Sequence, residues 1–183
     1  VCVSPTTAAA HCALRGAELP TGAQFEYVAS GLTGRRFVWG SDLPSCEDAV
    51  TWRVGYGLLA TPNPCPSPAP PGGPDVVGSV VNPPRRDRLV IDGGVIYDLV
   101  GNASEYSRDT WNRQEEPCWS KGGVYRDPVC TTASPSDGTR ATYRGGGWVG
   151  QARFGLAAAV HPITSPTGSF PIFTGFRCVR PAL

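Results

Sequence analysis

Proline and glycine punctuate this chain so densely that long regular elements have little room: 19 prolines and 23 glycines stand among 183 residues, nearly all of them after Ser30. Proline lacks the amide that a helix interior or a central strand needs, and glycine loses the most conformational freedom when ordered. Beyond Ser30 the sequence therefore predicts few helices and many ordered loops. The extreme is TPNPCPSPAPPGGP followed by NPPRRDR, which reads as an extended surface excursion at about residues 60–88, held at one end by a cysteine. A linker between two domains is the competing reading. The segments on either side look too irregular to fold alone, which favours a loop inserted in one domain covering residues 1–183.

Regular structure is expected mainly at the start. Ser4-Pro5 opens a helix, because serine can cap free amides and proline at the first helical position lacks only an N–H that would go unpaired anyway. Gly16 ends it. Thr21 and Gln24 form a T-x-x-Q capping box, with Phe25, Val28 and Ala29 at helical spacing behind it. Short strands are expected at Val95–Val100, Thr142–Arg144 and Phe173–Val179, and no internal repeat is visible.

Charge excludes some function classes. Sixteen basic against 15 acidic residues give a net charge of +1, too weak a field to argue for nucleic acid or an anionic membrane, and no stretch is long and apolar enough to span a bilayer. Lys121 is the only lysine, and methionine is absent, so the chain is expected to be a processed or partial product whose export signal has gone. The seven cysteines contain no C-x-x-C pair, and His11 and His161 lie far apart, so zinc-ligand spacing is missing. Disulfides formed in an oxidising compartment (periplasm, cell surface or extracellular space) are the better reading. Cys2 is the candidate for a bond to a partner outside the chain. Asp109, Glu115 and Glu116 read as surface charges, and no nucleophile elbow or phosphate loop occurs.

Four blocks, in order, carry a resemblance. GAELPTGAQFEYVASG, FVWG, VIYDLVGNASEYSRD, and the pair TYRGGGW and TGFRCVR resemble the "G-x-R-L-P-T-E-A-E-W-E-Y", "Y-P-W-G", "G-L-Y-D-M-x-G-N-V-W-E-W" and "R-G-G-S-W … G-F-R-C-V" blocks of the formylglycine-generating enzyme family, also called the sulfatase-modifying factor domain. The resemblance implies an α+β, C-type-lectin-like fold with two helices near the N-terminus, a small mixed sheet and mostly irregular loops. It also implies that the family's first strands and helix are missing here.

The same resemblance carries site residues. Cys12 and Cys178 match family cysteines commonly bonded to each other, which leaves Cys46 with Cys65 and Cys118 with Cys130 as local bridges, although sequence alone leaves the connectivity open. In DLVGNASE the family holds calcium, carried over here to the side chains of Asp98 and Glu105 and the carbonyls of Gly101 and Ala103. Hard oxygen ligands suit that ion. Alternatively, both carboxylates accept hydrogen bonds from loop amides. Asn102 of the N-x-S sequence reads as a turn residue.

The family's enzymes oxidise a sulfatase cysteine to formylglycine with molecular oxygen and copper(I), held by two cysteines after the G-G-S-W block. Here the serine position is Gly147 and the cysteine positions are Gly150 and Gly155. Soft thiolates are what copper(I) requires. The aromatic of "G-N-V-W-E" is Ser104, and a lone His161 among alanines reads as structural. The expectation is therefore a non-catalytic, calcium-stabilised, exported binding or structural domain that holds no copper and works with a protein partner or a larger assembly. Trp148, Phe154, Phe170 and Phe173 are its candidate recognition surface, although Trp148, like Phe176, suits a core better. An active formylglycine-generating oxidase and a retroelement-diversified ligand-binding protein, varied between Trp148 and Gly175, are the alternatives.

Overall fold

The computed structural model describes residues 2–51, 65, 73–79, 85–149, 156–163 and 173–180. Among them lie two helices, α1 (Pro5–Ala13) and α2 (Gly22–Ala29), and six strands: β1 (Arg88–Ile91), β2 (Gly94–Tyr97), β3 (Ser104–Thr110), β4 (Ala141–Arg144), β5 (His161–Pro162) and β6 (Thr174–Gly175). The class is α+β, with loops predominating. The chain divides into two compact units, each assembled from separate stretches of sequence. Unit 1 is Val1–Phe25, Glu105–Arg144 and Val160–Leu183; unit 2 is Glu26–Ser104 and Gly145–Ala159.

Unit 1 contains α1 and a four-stranded sheet in the order β5-β4-β3-β6. Local chemistry starts both helices. The Ser4 hydroxyl accepts from the Thr7 amide at 2.9 Å with Pro5 in the first turn, and the Thr21–Gln24 box is reciprocal, with amide-to-side-chain bonds of 2.9 and 3.1 Å. The core gathers Ala8, Cys12, Leu19, Tyr106 and Ile163. Tyr106 is fully buried, and its hydroxyl donates to the Val3 carbonyl at 3.0 Å, which satisfies the one polar atom on a large apolar ring. Cys12 is bonded to Cys178 and Cys118 to Cys130. Glu18 and Val179 exchange backbone hydrogen bonds of 2.9 and 2.8 Å. Only Thr174 and Gly175 of the strand expected over 173–179 pair as a strand, followed by this isolated bridge.

Unit 2 is built on loops. Its core is Phe37, Ala49 and Val100, with Trp39 and Leu156 packed against it. Phe37 and Trp39 stack at 5.0 Å, and the Arg86 guanidinium lies over the Trp39 ring at 5.4 Å while bonding both oxygens of Asp48. Cys46 is bonded to Cys65. The antiparallel hairpin β1–β2 turns at Asp92-Gly93, with Gly93 at φ +89°. Its first strand was not expected from the sequence, and its second ends at Tyr97 rather than Val100.

Candidate functional site

The segment following β2 is shaped by backbone conformations that few side chains tolerate. Asp98 and Asn102 both sit at φ +56° and Gly101 at φ +80°. A β-carbon on Gly101 would stand 2.4 Å from the Val50 carbonyl oxygen, so only glycine fits there. The close approach is used: Val50 pairs with Gly101, the Asn102 amide donates to the Val50 carbonyl at 2.8 Å, and the Gly101 amide donates to the Gly145 carbonyl at 2.7 Å. Trp148 then donates its amide to the Asn102 carbonyl at 3.1 Å. Gly145 and Gly146, at φ +84° and +66°, thus form a turn whose backbone lies against the Gly101-Asn102 turn. Asn102 is buried, and its side chain bonds the backbone of Asp75 in both directions, at 2.9 and 3.3 Å. It is a turn residue.

The carboxylates near this segment have different surroundings. Asp98 is 8% exposed, and its Oδ2 accepts from the Gly78 amide at 3.0 Å. Glu105, in unit 1, has both oxygens on the Arg177 guanidinium, at 2.7 Å for Nη2 to Oε1 and with Nε on Oε2. Arg177 also lies 5.8 Å from the Phe25 ring. Sequence reasoning missed Asp87, which is 2% exposed beside β1. Burial first, and then the neighbouring Asp98, push its carboxyl up to about 7. No group of three or more His, Cys, Asp or Glu side chains able to hold a metal occurs among the described residues.

Two acidic residues read as surface charges are interior. Asp109 is buried and accepts from the Gly22 amide at 2.5 Å, at the start of α2, and from the Cys130 amide at 2.8 Å. Glu116 is buried beneath Ser134 and Ser136, and the Ser136 hydroxyl is the main cause that holds its carboxyl down at about 2. Both act as loop anchors, because carboxylates satisfy several amides and hydroxyls at once. Glu115 is exposed. His161 is half-buried and stacks on Tyr143 at 5.4 Å, with burial and then Arg144 lowering its pKa. Of the candidate recognition aromatics, Trp148 is corrected to a core residue, 3% exposed. Phe173 is partly buried, edge-on to Tyr143 at 6.3 Å. Phe154, Phe170, Gly150 and Gly155 lie outside the described residues.

Unit 1 also carries a pocket of about 310 Å³ lined by Pro117, Trp119, Lys121, Tyr125, Val129 and Thr131 among others. No carboxylate or histidine lines it.

The sequence matches the family described as "Sulfatase-modifying factor enzyme 1-like domain" over residues 1–182. The chain belongs to this family. No curated protein matches it. Among solved structures, the sulfatase-modifying-factor domain is similar to the protein titled "Structure of PvdO from Pseudomonas aeruginosa", with 19% identity and a TM-score of 0.59 over 96% of this chain and 59% of that one. It is also similar to "Treponema denticola variable protein 1", with 22% identity and a TM-score of 0.51 over 90% of this chain and 48% of that one. These likenesses establish the fold. The domain spans about half the length of the solved chains it resembles. The family's aromatic position at Ser104 is 1% exposed, so a small hydroxyl fills a buried place there.

Proposed function

We propose that this chain is a non-catalytic member of its family, exported and stabilised by calcium, which acts by binding within a cell-envelope or extracellular assembly. The observation that carries the reading is chemical: glycine stands at both positions, 150 and 155, that match the family's copper-holding cysteines. A glycine offers no soft ligand, and copper(I) chemistry needs thiolates. Three disulfides among the described residues support an oxidising compartment. Val76 and Val77, neighbours in the sequence, face solvent in unit 2 and support a protein partner, since adjacent exposed aliphatic side chains favour association. Calcium is proposed at Asp98 with the carbonyls of Gly101 and Ala103, on hard donors and a turn of fixed shape.

The test is a copper(I) titration followed by mass spectrometry of a sulfatase-type cysteine peptide incubated with the protein and oxygen. No stoichiometric copper and no aldehyde product are expected. One tightly held cuprous ion, or any turnover to formylglycine, would overturn the reading.

The fold shared with the Treponema denticola variable protein favours one narrower form, in which residues between Trp148 and Gly175 are diversified for ligand binding. A neighbouring reverse transcriptase with an imperfect copy of that coding segment would support it, and the lack of both would remove it.

A further inference from the structure

The only lysine of the chain, Lys121, stands on the wall of the 310 Å³ pocket in unit 1. That pocket lies within the loop between β3 and β4, and its two sides, residues 117–121 and 128–132, are joined by the Cys118–Cys130 bond. Buried Asn112 links the same two sides, since its Nδ2 donates to the Thr132 carbonyl at 2.9 Å and its Oδ1 accepts from the Cys118 amide at 3.5 Å. The Tyr125 hydroxyl donates to the Trp119 carbonyl at 2.6 Å, and the two rings meet edge to face at 5.9 Å. Gly122 and Gly123, at φ +66° and +86°, supply the reversal that brings them together. Walls held in this way are set before a ligand arrives, so binding has little to order.

The chemistry of the wall selects a ligand class. Trp119, Tyr125, Pro128 and Val129 offer ring and aliphatic surface, while exposed Thr131 and Thr132 offer hydroxyl donors beside the Lys121 ammonium. No carboxylate lines the pocket, and among the described residues Lys121 takes part in no ion pair. A cation without a counter-charge attracts an anion and repels a cationic ligand that the aromatic rings would otherwise welcome. One flexible ammonium matches one negative charge, whereas a dianionic phosphate is usually held by arginine forks or several cations together. Lys121 is exposed, so water screens its charge and it governs preference between ligands more than strength of binding.

We propose that this pocket is a binding site for a small ring-bearing carboxylate, an aromatic or alicyclic acid, with Trp119 and Tyr125 taking the ring and Lys121 selecting the charge. A volume near the lower end of the range for small-molecule sites limits the ligand to about one ring and its acid group. The proposal draws on neither the calcium nor the copper reading above.

The experiment titrates benzoate, its uncharged amide benzamide and the cation benzylamine into the nitrogen-15-labelled full chain with its disulfides intact, following the indole N–H signals by NMR. The signal that Trp119→Phe removes identifies Trp119. Benzoate at millimolar concentration should shift that signal saturably and bind at least fivefold tighter than benzamide, with benzylamine weakest of the three. Lys121→Gln should weaken benzoate about fivefold or more and leave benzamide nearly unchanged, while Lys121→Arg, which keeps the charge, should retain the preference. Both changes are at an exposed position, so thermal unfolding should match the wild type. A Trp119 signal that millimolar benzoate does not move would overturn the site. Benzoate binding no tighter than benzamide, or a preference that survives Lys121→Gln, would overturn the carboxylate assignment.

Discussion

At the scale of single residues, Gly101 is the position where sequence and structure bind each other most tightly. Its φ of +80° is costly for any residue with a side chain, and a β-carbon would meet the Val50 carbonyl oxygen at 2.4 Å. Backbone cannot swing aside as a flexible side chain would. Gly101→Ala should therefore cost about 3 kcal/mol, from left-handed strain plus displacement of the bridged Val50 backbone, read by urea unfolding. A loss below about 1 kcal/mol would show that the Val50–Gly101 contact yields easily. The D-L-V-G-N segment was legible because its glycine and asparagine serve a local turn. Asp87 was not, since its burial depends on how distant loops pack around the open end of the hairpin. Glu105 was read from the family pattern, but its Arg177 partner is 72 residues away and spacing cannot announce such a pair. The burial of Asp109 and Glu116 was equally hidden, because the amides and hydroxyls that hold them come from distant loops.

At the scale of elements, what could be read locally was read well. The caps of α1 and α2 lie within three residues of their partners, so the sequence already contains both halves of each bond. Thr21→Ala should lower stability by about 1 kcal/mol, the usual worth of an N-cap side chain, and Gln24→Ala should lower it less. Chemical denaturation measures both, and an unchanged midpoint for Thr21→Ala would show that packing alone fixes α2. β1 and its pairing with β2 were not read, although Asp92-Gly93 between RLVI and GVIY is a strong two-residue turn signal, because the proline-rich segment runs up to β1. β3 was missed for a different reason. Its sequence SEYSRDT lacks apolar alternation, yet it is buried along most of its length because Ser107 and Thr142 bond each other's hydroxyls and Thr142 bonds the Asp109 carbonyl at 3.0 Å. Polar pairs that satisfy each other let a strand be buried without a hydrophobic pattern.

At the scale of the whole molecule, the Cys12–Cys178 bond is the longest-range constraint, with a sequence separation of 166. In the chain-entropy model a loop of that size contributes about 5 kcal/mol, as an upper bound. Replacing both cysteines by alanine should cost a large part of this, with an added loss because Cys12 is fully buried in the unit 1 core. Thermal unfolding of the double variant against the oxidised wild type checks it, and a drop of only a few degrees would assign the fold's stability to packing instead. The bond has another outcome. A protease that cuts once anywhere between these two residues sheds nothing: the nicked chain remains one covalent body, and both pieces stay attached until a reductant reaches the sulfurs.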